Sequence, residues 1–329
     1  PMNKPHILVV GGAGYIGSHM VKDLLRADYP VVTLDNLSRG HRSLLPGGDF
    51  IEGDMGNPET LDRVFNQYPV KAVMHFAAHS QVGESVQHPM MYYRNNVANT
   101  ITLLEAMQRA DVNHFIFSSS AAVYGEPEET PINEQHPCQP TNPYGMTKLM
   151  VEHILRDVSG VTDLSYCSLR YFNAAGADTS GEIGERHEPE THLIPLVLQV
   201  ATGERESIKI FGEDYPTPDG TCLRDYIHVS DLTQAHLLAL ESLLNGGDSA
   251  TYNLGNSTGY SVRQIIDAAR RITGHAIPAV IADRRAGDPA ILIADSTRIR
   301  KQLGWRPRFE KIEDIIDTAW TWHQKEATG

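Results

Sequence analysis

The chain has 329 residues, 41% of them hydrophobic and 21% charged, with a net charge of -13, which describes a globular protein of two domains or one enlarged one. The acidic balance argues against nucleic acid as the main partner, because a phosphate backbone needs a basic surface, and no apolar run is long enough to cross a bilayer. Cys138, Cys167 and Cys222 form no C-x-x-C pair and the fifteen histidines no H-E-x-x-H grouping, so a reducing cytoplasm is expected, with no disulfide framework and no metal.

Met2 reads as the natural start, behind a Pro1 left by cloning, and no signal peptide precedes the first apolar run. Short apolar runs predict strands at 7–10, 31–34, 50–52, 72–75, 115–118 and 164–169. Amphipathic patterns between them predict helices at 15–27, 58–67, 91–110 and 143–158. Strand and helix alternating in this way give an α/β fold, a doubly wound parallel sheet of Rossmann type. Such sheets bind ligands at the carboxyl ends of their strands. Residues 173–191 are rich in Gly, Ala, Glu and Pro and read as an irregular stretch. Beyond them come helices near 194–202, 232–244, 262–273 and 312–324, and short strands near 208–211 and 226–228. The expected organisation is a Rossmann domain over 1–172 and a smaller mixed α/β domain over 173–329, interleaved with the first.

Gly11, Gly14 and Gly17 stand in G-x-x-G-x-x-G spacing where the first strand meets the first helix. Such a turn lets backbone N–H groups approach a pyrophosphate at the positive end of a helix dipole. Asp35 ends the second strand about twenty residues on, where a carboxylate hydrogen-bonds a ribose diol. The same carboxylate repels a 2′-phosphate, so NAD is expected rather than NADP. Asp54 and Met55 follow the third strand at the adenine position, although Asp54 is equally readable as a loop cap.

Ser118-Ser119-Ser120 ends the fifth strand, and Tyr144-Gly145-Met146-Thr147-Lys148 opens the helix after the next proline-rich loop. Four residues apart on a helix, Tyr144 and Lys148 share one face. A free tyrosine titrates near ~10 and is a poor base at neutral pH. A neighbouring ammonium can lower that value, and a shift of ~3 units corresponds to about 4 kcal/mol. Ser120 can orient the hydroxyl whose proton Tyr144 removes. Glycine turn, hydroxyl, tyrosine and lysine together describe an NAD-dependent site that oxidises an alcohol.

These residues resemble the extended short-chain dehydrogenase/reductase superfamily, and within it the UDP-glucose (UDP-galactose) 4-epimerases. The similarity is carried by Gly-Gly-Ala-Gly-Tyr-Ile-Gly (11–17), Leu-Asp-Asn-Leu (34–37), Val-Gly-Glu-Ser-Val (82–86), Asn95-Asn96-Val97, Ser-Ser-Ser-Ala-Ala-Val-Tyr-Gly (118–125) and Arg-Tyr-Phe-Asn (170–173). Arg224-Asp225-Tyr226-Ile227-His228 and Arg284-Arg285-Ala286-Gly287-Asp288 extend it over nearly the whole chain. The resemblance implies reversible C4 epimerisation with Tyr144, Lys148 and Ser120 as catalytic residues. It implies cofactor contacts from Gly11, Gly14, Tyr15, Ile16, Gly17, Asp35, Asn36, Asp54, Met55, Phe76, Ala77, Ala78, Asn95 and Phe172, besides Tyr144 and Lys148. It implies UDP-sugar contacts from Asn173, His192, Leu193, Phe211, Arg224, Tyr226, Arg285, Asp288 and Leu292, besides Ser120 and Tyr144. A dianionic diphosphate needs arginine, whose planar fork pairs with phosphate oxygens. The resemblance also implies a homodimer through the helices at 91–110 and 143–158.

Three positions depart from the family. Val10 replaces a threonine before the glycine turn. Ser80 replaces a lysine that reaches the cofactor phosphates, which implies weaker cofactor retention. His192 replaces an asparagine near the sugar diphosphate. Ala121-Ala122 stand where the related 4,6-dehydratases carry Asp-Glu, which argues against elimination of water. A 4-epimerase of UDP-pentoses, UDP-uronates or UDP-N-acetylhexosamines shares the same chemistry. A non-catalytic NAD sensor on the same fold is the alternative from another class. Leu292, bulky and apolar, falls where the family walls the C2 side of the sugar pocket, so N-acetylated sugars are expected to be poor substrates.

Overall fold

The computed structural model describes residues 3–329, so the start at Met2 lies outside the described residues. The chain divides into two compact units. The first comprises residues 1–125, 137–170 and 233–252, and the second residues 126–136, 171–232 and 253–329. The change of unit falls at 170/171, and residues 233–252 return to the first unit after a long excursion.

In chain order, the elements of the first unit begin with β1 (His6–Val10), α1 (Tyr15–Arg26), β2 (Val31–Asp35), β3 (Asp49–Glu52), α2 (Pro58–Gln67) and β4 (Val70–His75). Next come α3 (Val82–Gln87), α4 (Pro89–Tyr92), α5 (Asn99–Arg109), β5 (His114–Ser120), α6 (Pro143–Ser159) and β6 (Ser165–Tyr171). Helix starts follow local chemistry. Asn57 caps α2 by accepting from the Glu59 and Thr60 N–H groups, and Pro58 takes the first helical position, where no N–H is needed. Asn142 and Pro143 start α6 in the same way.

The remaining elements are β7 (Asn173–Ala175), α7 (Leu193–Ala201), β8 (Ile208–Phe211), β9 (Leu223–His228), α8 (Val229–Leu244), β10 (Ala250–Leu254), β11 (Gly259–Ser261), α9 (Val262–Thr273), β12 (Ala279–Ala282), β13 (Ile291–Leu292), α10 (Thr297–Leu303) and α11 (Ile312–Thr328). Seven strands form the main sheet in the order β10-β6-β5-β4-β1-β2-β3. The pairs from β3 through β5 are parallel. Strand order reverses between β1 and β4, which is the switch point where such sheets bind ligands. Apolar strand residues such as Leu8, Val10, Val73, Phe115 and Phe117 pack with Leu103, Met107 and Val151 from the helices into one buried core.

The second unit has its own core, built from Ile194, Val197, Ile265, Ile266, Ile315 and Ile316 with Tyr226. Its strands form two small sheets: β9 with β7, β11 and β13, and β8 with β12. Residues 173–191, read from sequence as irregular, begin with β7. The predicted helix over 91–110 is α4 and α5 joined by a π-helical segment over Tyr93–Ala98. The two- to four-residue strands β11, β12 and β13 are too short to carry a periodic signal. No helix among the described residues is long and apolar enough to cross a membrane. None of the three cysteines is in a disulfide.

Candidate active site

At the switch point, Gly11 leaves β1 with φ +84°. A Cβ there would lie 2.6 Å from the Ala77 nitrogen and 2.8 Å from the Phe76 carbonyl carbon, so only glycine lets the turn after β1 pass the chain leaving β4. Gly14 differs: a Cβ there would meet only the Gly11 oxygen, at an ordinary 3.4 Å. Packing within the protein does not demand glycine at 14, whereas a phosphate group laid on the N-terminus of α1 would. Asp35 Oδ2 accepts from Ala13 N at 3.0 Å and Oδ1 from Leu37 N at 2.8 Å, tying the end of β2 to the glycine turn. Burial pushes the Asp35 carboxyl up, against the pull of those two backbone bonds. The residues present fit a dinucleotide.

Neighbouring positions are fixed by short-range bonds. Asn36 accepts from Ser38 N, and Asp54 Oδ1 from Gly56 N at 2.7 Å, so Asp54 does cap its loop. The Met55 side chain packs in the core. Phe76 N donates to Val10 O and Ala78 N to Phe76 O, which orders the strand end 76–78. Asn95 donates to Asn96, a residue given no role from sequence. Buried Asn96 accepts from His79 N and donates to His79 O and to Thr147 Oγ1 at 3.1 Å. Thr147 Oγ1 donates in turn to Tyr144 O. Asn96 therefore holds the first turn of α6, which carries Tyr144.

Tyr144 and Lys148 are both buried. A Cβ on Gly145 would strike Ala122 O, so glycine at that position allows α6 to start directly against the turn that follows Ser120. Ser120 Oγ accepts from Ala122 N at 3.1 Å, the short cap that ends β5. Lys148 Nζ donates to Ser118 O at 2.7 Å and lies 5.9 Å from the centre of the Tyr144 ring. Burial lowers the Lys148 ammonium to about 7, with Glu152 pulling the other way. Behind this pair, the Glu152 carboxylate accepts from Ser119 Oγ at 2.6 Å and from the Arg170 guanidinium, which also donates to Tyr124 Oη at 2.9 Å. This buried ion pair was not anticipated from sequence, because its partners come from separate elements.

In the second unit, β9 sets the register of the expected sugar-nucleotide residues. Arg224 stands opposite Leu292, and Tyr226 opposite Asn173. Alternation along β9 puts Arg224 and Tyr226 on one face. Tyr226 packs in the core of this unit, and burial pushes its phenol up to about 12. Arg224 donates to Leu223 O at 2.9 Å. Phe172 N donates to Leu254 O. Arg285 lies 4.6 Å over the Phe211 ring and pairs with Asp288 at 2.9 Å, so Phe211, Arg285 and Asp288 form one constellation.

His192 departs from its expected surroundings. Its Nδ1 lies 3.0 Å from both the Glu185 and the Glu190 carboxylates, immediately before Leu193 opens α7. Burial opposes charge on this imidazole, but the two carboxylates outweigh it and push His192 up to about 10. His187 shares both carboxylates and rises to about 9.

A model of the "NAD dependent epimerase/dehydratase family" matches residues 7–255. The chain belongs to this family. It is 52% identical over 323 residues to the UDP-glucose 4-epimerase of Halalkalibacterium halodurans, covering 98% of this chain and 97% of that one. Among solved family members, a UDP-glucose 4-epimerase structure superposes with a TM-score of 0.97 at 54% identity, covering 98% of this chain and 99% of the other. The UDP-glucose 4-epimerase of Brucella ovis, solved in complex with NAD, gives a TM-score of 0.94 at 48% identity, covering 96% and 97%.

Proposed function

We propose that the protein interconverts UDP-glucose and UDP-galactose by reversible epimerisation at C4, with no net oxidation. The observation that carries this reading is the buried Lys148 ammonium, held by Ser118 O beside the Tyr144 ring at the end of β5, in a chain of the epimerase family. NAD, held by the glycine turn and Asp35, would supply a hydride acceptor for C4 and the donor for its return. Tyr144, as phenolate, takes the proton of the sugar 4-hydroxyl as C4 is oxidised to the 4-keto sugar. Lys148 stabilises the phenolate charge, and the Ser120 hydroxyl holds the sugar oxygen. Once the keto sugar has presented its other face, Tyr144 returns the proton to the oxygen.

UDP must stay anchored while the sugar turns. Arg224 and Arg285 supply the cationic forks for the diphosphate. Phe211 and Asp288 take the uridine side, and Asn173, Leu193, Tyr226 and Leu292 the diphosphate and sugar. Gly11, Gly14, Tyr15, Ile16 and Gly17 receive the dinucleotide pyrophosphate, and Asp35 with Asn36 receives the adenosine ribose. Asp54 and Met55 lie along the adenine, while Phe76, Ala77, Ala78, Asn95 and Phe172 line the rest of the dinucleotide. The carboxylate at Asp35 supports NAD over NADP.

The reading includes a homodimer through α5 and α6, supported by partly exposed apolar side chains on both helices, Ile101 and Met150 among them. It includes a cytoplasmic location, supported by three cysteines of which none is in a disulfide. Incubating the purified protein with UDP-galactose and only catalytic NAD tests the central claim. UDP-glucose should form to equilibrium while no NADH accumulates. One NADH released per sugar would establish a net dehydrogenase, and no conversion would overturn the proposal.

A further inference from the structure

The sequence shows no H-E-x-x-H motif for a metal, yet the loop that leads into α7 gathers Glu185, His187, Glu190 and His192. One ligating atom from each lies within 4.8 Å of all the others. The cluster belongs wholly to the second unit and is separate from Tyr144, Lys148 and Ser120 in the chain's organisation. We propose that these four side chains form a binding site for one divalent transition cation of the zinc class.

Geometry is the first argument. Glu185 Oε2 lies 3.0 Å from Nδ1 of both histidines, and His192 Nδ1 lies 3.0 Å from a carboxylate oxygen of both glutamates. The fourth approach, His187 to Glu190, is 3.5 Å. Bonds of 2.0–2.1 Å to a tetrahedral ion place neighbouring ligand atoms about 3.3 Å apart. The four nitrogen-to-oxygen edges bracket that value. Each Nδ1 faces two carboxylates; Glu185 turns one oxygen to both imidazoles and Glu190 one oxygen to each, so the four side chains gather together rather than pairing off one to one.

Charge and burial agree. The Glu185 and Glu190 side chains are 8% and 6% exposed, and together they place two negative charges in a poorly hydrated loop. Two positive charges must compensate them. Two imidazolium protons can do so, and one divalent cation can do so while using all four lone pairs. His192 is 49% exposed, which leaves a path for an ion to enter. Two imidazole nitrogens with two carboxylate oxygens suit zinc, cobalt or nickel, whereas magnesium and calcium prefer oxygen alone.

The scaffold is also pre-arranged. Trp322 of α11 donates to Glu185 O at 3.0 Å, and Arg186 pairs with Glu326 at 2.7 Å. Both bonds fix the near end of the loop before any ion binds. An ion would clasp the far end, at His192, against it. Four protein ligands leave no open position, so the bound ion is structural.

The test uses the full-length, untagged protein, stripped with chelator and titrated with zinc at pH 7.5 against a competing chromophoric chelator. One equivalent should bind with submicromolar affinity and raise the midpoint of thermal unfolding. His187→Gln and Glu190→Gln should each weaken binding by at least about 10²-fold, whereas His275→Gln, on an exposed loop elsewhere, should leave it unchanged. Cobalt titration of the wild type gives a readout that needs no variant: intense visible bands of tetrahedral cobalt should saturate at one equivalent. Affinity should fall with pH as the imidazoles take up protons. Wild-type binding no tighter than in the two variants, or cobalt that stays octahedral, would overturn the proposal and leave the cluster a proton-bridged ion quartet.

Discussion

The charges behind Tyr144 in the first unit and the loop arginines of the second are handled in opposite ways. In the first, Lys148, Glu152 and Arg170 are buried, and each is held by named partners on β5 or α6 or by Tyr124. In the second, Arg284 and Arg285 ride on loops with their side chains 45% and 60% exposed, each paired to one aspartate and laid over an aromatic ring. Proton transfer needs a shifted pKa, and burial is the strongest way to shift one. Anchoring an anion needs a cation that can exchange its present partner for phosphate, and a solvated, singly paired arginine exchanges cheaply. Under the proposed function, the contrast follows from what each region does to the substrate.

The sharpest way to break the contrast is to remove the hydroxyl of buried Tyr144, the proposed base. Tyr144→Phe should lower kcat by 10²–10⁴ while UDP-sugar binding survives. Steady-state rates and ligand titration of the same variant measure both. A Phe variant that keeps more than about a tenth of wild-type kcat would mean that the base lies elsewhere.

Next in size is the ion pair behind the base. Arg170→Met leaves the Glu152 carboxylate buried without its guanidinium, which should cost about 3–5 kcal/mol in chemical unfolding. The exposed pair of Arg271 with Glu313 provides the contrast. Arg271→Ala should cost less than about 1 kcal/mol. Equal losses at the two sites would remove the distinction between the buried and the exposed charges.

Lys148 sharpens the same point through pH. Its folded-state pKa of about 7 lies below its ordinary 10.5. Between those values the unfolded chain holds the extra proton, so the cofactor-free protein gains stability as pH rises from 7 towards 10.5. Below 7 the penalty for the buried ammonium is complete. Lys148→Met should therefore be inactive yet more stable, by on the order of 1–3 kcal/mol near pH 7 after the lost hydrogen bond to Ser118 O. The gain should shrink as pH rises. A variant less stable than wild type at pH 7 would show that the ammonium is well solvated or well paired in the fold.

Much of the site was legible because its demands are local. The glycine turn, Asp35 at a strand end and Tyr144 with Lys148 one helical turn on are all set by short-range geometry. The places of the strands through β6 along the chain followed from alternating apolar runs. What stayed hidden depends on contacts between distant residues. Arg170 reaches Glu152 across 18 positions and Tyr124 across 46, and Asn96 reaches Thr147 across 51. No periodic pattern encodes such meetings. The meeting of His192 with Glu185 and Glu190 was hidden for another reason. The loop spacing that folds it onto Glu185 and Glu190 is irregular, so neither a helical nor a strand template finds it.

The smallest expected effect concerns the wall of the sugar pocket. Leu292 stands opposite Arg224 in the parallel pairing of β13 with β9, and its side chain is half-buried and outside the core cluster of its unit. Arg224 is assigned to the diphosphate, so its strand neighbour is well placed to meet the attached sugar. An N-acetyl group pressed against leucine faces steric conflict and an amide left without a partner, costing about 1–3 kcal/mol. UDP-N-acetylhexosamines should accordingly be poorer substrates by about 10- to 100-fold in kcat/KM. Leu292→Ser relieves the conflict and offers a hydroxyl to the amide. Measured side by side, kcat/KM for UDP-N-acetylglucosamine should rise while that for UDP-galactose changes little. A ratio unmoved by the substitution would mean that Leu292 packs its strand and never meets the substrate.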